Sequence, residues 1–157
     1  MKTRIYNEGQ LIKERLAEIS DYIYNNPELG NEEYKAVEAL TTFLKEHNFQ
    51  VECPIADMDT AFKATFDSGK PGMTIGYLCE YDALPKIGHG CGHNMIGVMS
   101  SGAAVALSKV LDEIGGKIIV YGTPAEETNG GKVILAEAGV FDELDVAMMV
   151  HPADITA

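Results

Sequence analysis

Lys117-Ile118-Ile119-Val120-Tyr121, continued by Gly122-Thr123-Pro124-Ala125-Glu126-Glu127, is the stretch on which the reading of the fold turns. An unbroken run of β-branched and aromatic residues has no polar face to offer water, so it predicts a central strand of a parallel sheet with both faces covered. Working outward, Gly115-Gly116 stops the segment before it, and Gly130-Gly131 opens a helical pattern that runs to about Ala138. Upstream, residues from Asn94 to about Glu113 carry Gly, Ala, Ser, Met and Val on nearly every face, which predicts a buried helix with Asn94 as its cap. Downstream, Asp145 to Val150 reads as another apolar strand. Strand alternating with helix predicts an α/β layered sheet.

The N-terminal third supplies packing elements. Leu11, Ile12, Leu16, Ile19 and Ile23 recur at helical spacing and predict an amphipathic helix from Glu8 to Asn25. Asn26-Pro27-Glu28-Leu29-Gly30 breaks it, and a second helix is expected from about Asn31 to His47, with Val37, Leu40, Phe43 and Leu44 inward. Ala61 to Asp67 and Met73 to Cys79 read as strands joined by Ser-Gly-Lys-Pro-Gly, a hairpin or neighbouring strands. Cys79 is expected in the core; His47 and Cys53 read as surface or packing residues.

A chain of 157 residues can build one core. Its formal charge of −12 argues against nucleic-acid and anionic-membrane partners, both of which need a basic face. No apolar run approaches a membrane span, and the polar first ten residues do not read as a secretory signal. Cys53, Cys79 and Cys91, odd in number and widely spaced, form no disulfide framework, so a reducing, cytoplasmic setting is expected.

The unusual residues collect after the predicted strands. Glu80-Tyr81-Asp82 and then Gly88-His89-Gly90-Cys91-Gly92-His93-Asn94 follow the strand ending near Cys79; Glu126 and Glu127 follow Lys117 to Tyr121; His151-Pro152 follows Asp145 to Val150. Ligands of open α/β sheets bind outside the carboxyl ends of the strands, so these groups are expected to meet on one edge. A thiolate, two imidazoles and a carboxylate suit zinc, manganese, cobalt or nickel, and a thiolate has lone pairs enough to bridge two ions. Adjacent Glu126 and Glu127 leave the strand in different directions, so one can bind metal while the other faces a reacting water. That combination fits hydrolysis of an amide or peptide bond. Each residue also has an ordinary reading: a glutamate pair favoured by a helix dipole, a loop histidine at 151, a turn-starting Asp82, a loop-bracing His89. Their convergence at three strand ends favours the site.

In this order, Tyr81-Asp82-Ala83-Leu84-Pro85, Gly-His-Gly-Cys-Gly-His-Asn, Gly-Thr-Pro-Ala-Glu-Glu and Met-Val-His-Pro resemble the metal-dependent amidohydrolases and dipeptidases related to hippurate hydrolase, aminoacylase and auxin-conjugate hydrolases. Asn-Pro-Glu-Leu-Gly at 26 to 30, with Glu33 shortly after, is similar to the family's N-terminal segment. The resemblance implies a layered α/β/α sheet of the zinc-exopeptidase type and two divalent metal ions. It implies Cys91 as bridging ligand, His93 and His151 completing one ion, Glu127 on the other, Glu126 as general base and acid, and Asp82 orienting the site from behind. Many members have Asp where this chain has Asn94; the Asn form resembles the branch acting on dipeptides and aminobenzoyl-glutamate-like amides. Family members continue past the position of His151-Pro152 into a lid and dimerisation domain. Residues 1–157 are therefore expected to be the N-terminal part of a catalytic domain, inactive alone, from a homodimeric full-length form acting on a small amide or dipeptide. Two other readings compete: a non-catalytic metal-binding or structural remnant, and a cysteine-nucleophile hydrolase built on Cys91, which leaves the glutamate pair unexplained.

Overall fold

The computed structural model describes residues 1–153. Ten elements succeed one another: α1 (Lys2–Asn25), α2 (Tyr34–Glu46), β1 (Gln50–Glu52), β2 (Phe62–Asp67), β3 (Thr74–Cys79), α3 (His93–Ser108), α4 (Leu111–Ile114), β4 (Lys117–Gly122), α5 (Gly131–Glu137) and β5 (Val146–Met148). The strands form one sheet in the order β1-β2-β4-β3-β5. Strands β4, β3 and β5 run parallel, while β2 is antiparallel to β4 and β1 to β2. Strand β4 holds the apolar run from Ile118 to Tyr121, and every residue of it after Lys117 is buried. A strand apolar on both faces must be covered on both and hydrogen-bonded along both edges.

That requirement corrects the expected hairpin. Strands β2 and β3 do not pair; β4 lies between them, with Lys117 opposite both Asp67 and Thr74. The Ser-Gly-Lys-Pro-Gly turn steps around the start of β4: Gly116 N–H donates to the Lys70 carbonyl at 3.0 Å and Ser68 N–H to the Gly116 carbonyl at 3.1 Å. Gly115 and Gly116 admit this crossing. A Cβ on Gly115 would lie 2.2 Å from the Pro71 carbonyl oxygen, and both glycines have positive φ.

One face of the sheet carries the main core. Ile19 and Ile23 of α1, Leu40, Phe43 and Leu44 of α2, and Val98, Ala104 and Val105 of α3 close over Phe62, Ala64, Ile118 and Val120. Fully burying each of the larger side chains contributes roughly 1.5–3 kcal/mol. Helix α3 is buried nearly all round, as its composition predicts, and Gly102 lets α1 approach: a Cβ there would stand 2.5 Å from Leu16 Cδ1. The opposite face has a thinner layer, in which Met58, Ala61 and Leu135 gather Ile134, Val140 and Phe141. The layers are α/β/α, as expected, but unequal.

Several boundaries differ from the sequence reading. Helix α1 begins at Lys2 rather than Glu8, because Arg4 pairs with Glu113 and donates to the Lys109 carbonyl at 2.7 Å, a contact across the fold. Leu11, expected inward, is exposed. Helix α3 stops at Ser108, and α4 is a separate turn. Asn94 caps nothing: the helix starts one residue earlier from a left-handed Gly92, and Asn94 Nδ2 instead donates to Ser20 Oγ of α1 at 2.9 Å. Strand β5 is apolar yet exposed at all three positions, being paired on one side only among the described residues. No helix among those residues is long and apolar enough to cross a membrane.

Candidate metal centre

Strands β3 and β4 end level, with Cys79 opposite Gly122. Thr123 locks this junction by donating from both N–H (2.8 Å) and Oγ1 (3.0 Å) to the Cys79 carbonyl. Gly122 is required there, since a Cβ would fall 2.2 Å from Phe62 Cδ1 and 2.5 Å from the Tyr81 hydroxyl. Alternation then sends Tyr81 into the interior, where its hydroxyl donates to the Thr60 carbonyl at 2.6 Å, and aims Glu80 and Asp82 at the site.

His93, the first residue of α3, is fully buried between these two carboxylates. Its Nδ1 lies 2.9 Å from Asp82 Oδ1 and 3.1 Å from the Asp82 carbonyl, both acceptors, so Nδ1 carries the proton and Nε2 the lone pair. Asp82 Oδ2 accepts from Glu127 N–H at 2.9 Å, so one carboxylate orients the imidazole and fixes the β4 exit loop. Burial alone would raise the Asp82 carboxyl; the bonds from His93 and Glu127 outweigh it and hold it below the usual range. His93 moves upward on balance: burial opposes its charge, but Asp82, Glu80 and Glu126 favour it more.

Two sets of potential ligand atoms meet at His93. Cys91, His93 and Glu127 bring theirs within 4.8 Å of one another, and so do Glu80, His93 and His151. The rings of His93 and His151 stand edge to face at 5.6 Å. His151 Nδ1 donates to the Pro152 carbonyl at 2.7 Å, leaving Nε2 as its lone-pair atom. All four ligand candidates expected from the sequence thus lie together at the carboxyl edge of the sheet. Glu126 is exposed and in neither group, although near enough for its charge to act on His93 and Cys91. Asp82 sits behind His93. Next to the site a cleft of about 350 Å³ is lined by His89, Cys91, Met95, His151 and Pro152.

The electrostatics fit a cation. Glu127 beside it, with burial and the charges of Glu126 and Asp82, pushes the Cys91 thiol up to about 11. A thiolate is thus unfavourable here until positive charge arrives, as a metal ligand set requires. Glu80 Oε2 and His93 Nε2 are buried without a hydrogen-bond partner among the described residues, which also marks a donor set short of a cation.

Sequence reasoning passes over two supporting residues. Glu80 precedes Asp82 by two positions with no evident role, yet it is 1% exposed, pairs with Lys132 of α5 through Oε1 and faces His93 through Oε2. Glu33, just after the Asn-Pro-Glu-Leu-Gly segment, is buried; its Oε1 accepts from Ala125 N–H at 2.7 Å and its Oε2 from the Thr60 hydroxyl at 2.7 Å. It clamps the residue before the glutamate pair, where Ala125 holds a left-handed φ of 57° that costs about 1–2 kcal/mol in an alanine. The available signal was two carboxylates two residues apart after a strand, and a lone glutamate among turn residues.

No family model matches the chain. Among curated proteins it is 42% identical over 161 residues to Xaa-Arg dipeptidase of Mus musculus, covering 92% of this chain and 36% of that protein. It is 36% identical over 159 residues to one of the subunits of p-aminobenzoyl-glutamate hydrolase of Escherichia coli strain K12, covering 89% and 33%. The chain therefore spans about a third of the length of these relatives. In fold it is similar to a dinuclear metal binding peptidase of the M20 family from Bacillus subtilis, with a TM-score of 0.78 at 23% identity over 88% of this chain and 42% of that one. The sequence matches show the chain to be similar to the N-terminal third of these dipeptidases and amidohydrolases, and the structural likeness shows the same fold.

Proposed function

We propose that the protein takes part in metal-dependent hydrolysis of an amide bond in dipeptides or N-acyl-amino acids. The observation that carries this reading is the meeting of Cys91, His93, Glu127 and His151 at one sheet edge, with Asp82 bonded to the far nitrogen of His93. Cys91, His93, Glu127 and His151 would hold the divalent ions, Cys91 with both histidines on one side of the site and with Glu127 on the other. Zinc, manganese, cobalt and nickel suit this donor set. Bound there, such ions supply the charge that acidifies water and polarises an amide carbonyl.

The chain's own groups do the rest. Asp82 keeps the proton on His93 Nδ1 and so keeps Nε2 a donor of its lone pair. Glu126, exposed at the mouth of this group, takes a proton from the attacking water and returns it to the leaving amine. Glu33, through Ala125 N–H, sets the loop from which both glutamates project. The non-catalytic reading draws on one feature: apart from the shared Cys91, Glu127 is the single residue among those described that this ligand set gives to the second ion.

Paired variants test the assignment. In the full-length form, Glu126→Gln is expected to keep metal content, measured by elemental analysis, and lose about 10²–10⁴ in turnover of dipeptides and N-acyl-amino acids, as for a general acid–base residue. Glu127→Ala is expected to lose metal and activity together. Equal metal loss in both would sink the division of roles; an unsubstituted full-length form that binds metal and never hydrolyses such amides would favour the non-catalytic reading.

A further inference from the structure

We propose that Glu80 is an additional metal ligand, binding through Oε2 the same ion as His93 and His151, while Lys132 holds Oε1. The inference rests on the metal-centre reading and extends it to a residue outside the expected ligand set.

Glu80 follows the last residue of β3 and is 1% exposed. Burying a carboxylate so completely is costly unless both oxygens find partners. Only one does. Oε1 is paired with the Lys132 ammonium, whereas Oε2 is buried with no hydrogen-bond partner among the described residues. Facing this bare oxygen is His93 Nε2, 3.2 Å away and equally without a partner. Since Asp82 fixes the proton on His93 Nδ1, the two orphans are both electron-pair donors facing each other. Two buried atoms so placed call for a cation between them, and a metal ion held by both supplies it. His151 offers its ligand atom within 4.8 Å of theirs, which completes a three-residue group independent of Cys91 and Glu127.

The position of Lys132 fits this role. It is the second residue of α5, and its approach depends on Gly131, where a Cβ would lie 2.0 Å from the Pro124 carbonyl oxygen. A lysine on Oε1 orients the carboxylate and occupies only one of its two oxygens, so the other stays available to an ion. A purely structural ion pair would have no reason to aim the second oxygen at a ligating histidine.

The test is a cobalt(II) titration of the intact protein and its variants, read by visible absorption. The d–d bands report coordination number and the near-ultraviolet thiolate band reports Cys91. Glu80→Gln is expected to weaken the first ion bound by at least about tenfold and to change the d–d bands towards a lower coordination number, with the thiolate band kept. Glu80→Asp, which keeps the charge beside Lys132 but withdraws the oxygen, is expected to show the same spectral change with a smaller loss of affinity. It decides alone if Glu80→Gln does not fold by circular dichroism. Unchanged d–d bands in the variant overturn the proposal, even where affinity falls through lost charge. A parent protein that binds no cobalt overturns it together with the metal-centre reading, whereas a parent that binds and variants that match its spectrum overturn this proposal alone.

Discussion

The two sides of the site are built differently. On the β3–β4 side, His93, Glu80 and Asp82 are 0%, 1% and 2% exposed, and each is held by a neighbour from another element. On the β5 side, His151 is exposed, follows a three-residue strand exposed at every position, and among the described residues bonds only to the next one. Folding the core therefore preorganises one half of the site, because those ligands cannot move without breaking buried contacts. The other half is placed by one short parallel pairing and by Pro152 against Gly92, whose Cβ would stand 3.0 Å from the proline Cγ. Rigidity here follows the depth of the core, not distance from the metal position.

The contrast is broken most directly by two single substitutions. Asp82→Asn is expected to reduce metal affinity by about 10–100-fold, as for partners that orient a ligating histidine. It is also expected to lower the melting temperature, since the amide must set an N–H against one of two donors. His151→Ala should lower metal affinity and leave the melting temperature of the metal-free protein unchanged, its side chain being exposed. Calorimetric melting with and without chelator measures both; an equal fall in stability for the two would erase the distinction between the sides.

A smaller effect is expected at Glu33, which extends the braced side to the β4 exit loop. Glu33→Ala strands the Ala125 N–H and the Thr60 hydroxyl and should cost about 1–3 kcal/mol in denaturant unfolding. Burial raises the Glu33 carboxyl, so its ionised form is the less comfortable one in the fold, and Glu33→Gln should lose less than the alanine variant.

The smallest effect tests what leads into β5. Lys63 on β2 pairs with Glu143, which also accepts from the Tyr121 hydroxyl at 3.2 Å, anchoring the turn before β5. The Lys63 bond is the largest influence on the Glu143 carboxyl and, with the Lys63 charge, holds it below its usual 4.5. A carboxyl depressed in the folded state contributes stability above its unfolded pKa and loses it as pH falls through the folded value. With the side chain 41% exposed, the contribution is under about 1 kcal/mol. The melting temperatures of parent and Glu143→Gln should differ slightly at pH 7 and converge well below pH 4.5; a difference that persists in acid would mean the turn is held by something other than this pair.

Legibility in the sequence followed locality. Strand β4 was plain because five adjacent residues state their own burial, and the inward face of α2 was plain from spacing. Strand β1 was missed because three residues with one half-buried position carry no period. The sheet order was misjudged at β2 and β3 because the insertion of β4 is decided by residues some fifty positions away, through Gly115 and Gly116. Leu11 and Ile12 show the limit of helical spacing: both fit the apolar stripe, and only the packing of α1 on α3 turned Leu11 out. At the site, the thiol, imidazoles and paired glutamates stood out by type and spacing. Glu80 and Glu33 did not, because a carboxylate's burial depends on partners, Lys132 and Ala125, that the sequence sets far from it.

The level ending of β3 and β4 has a consequence for how this stretch of chain can vary in length. From Cys79 to Asp82 and from Gly122 to Glu127, each residue is counted from a shared line across the sheet. One residue inserted at the end of either strand would advance the residues after it by about 3.3 Å and turn each side chain to the opposite face. After such an insertion following Cys79, Tyr81 would take the place of Asp82, setting a phenol behind His93, and Glu80 the place of Tyr81, setting a carboxylate against Phe62. The 68–72 turn at the other end of the same strands is tied by its bonds to Gly116 and by Lys70 to the Asp112 carbonyl, neither of which sets the face of a site residue. Gaps and insertions among descendants of this sequence should accumulate at that end and be missing from this one.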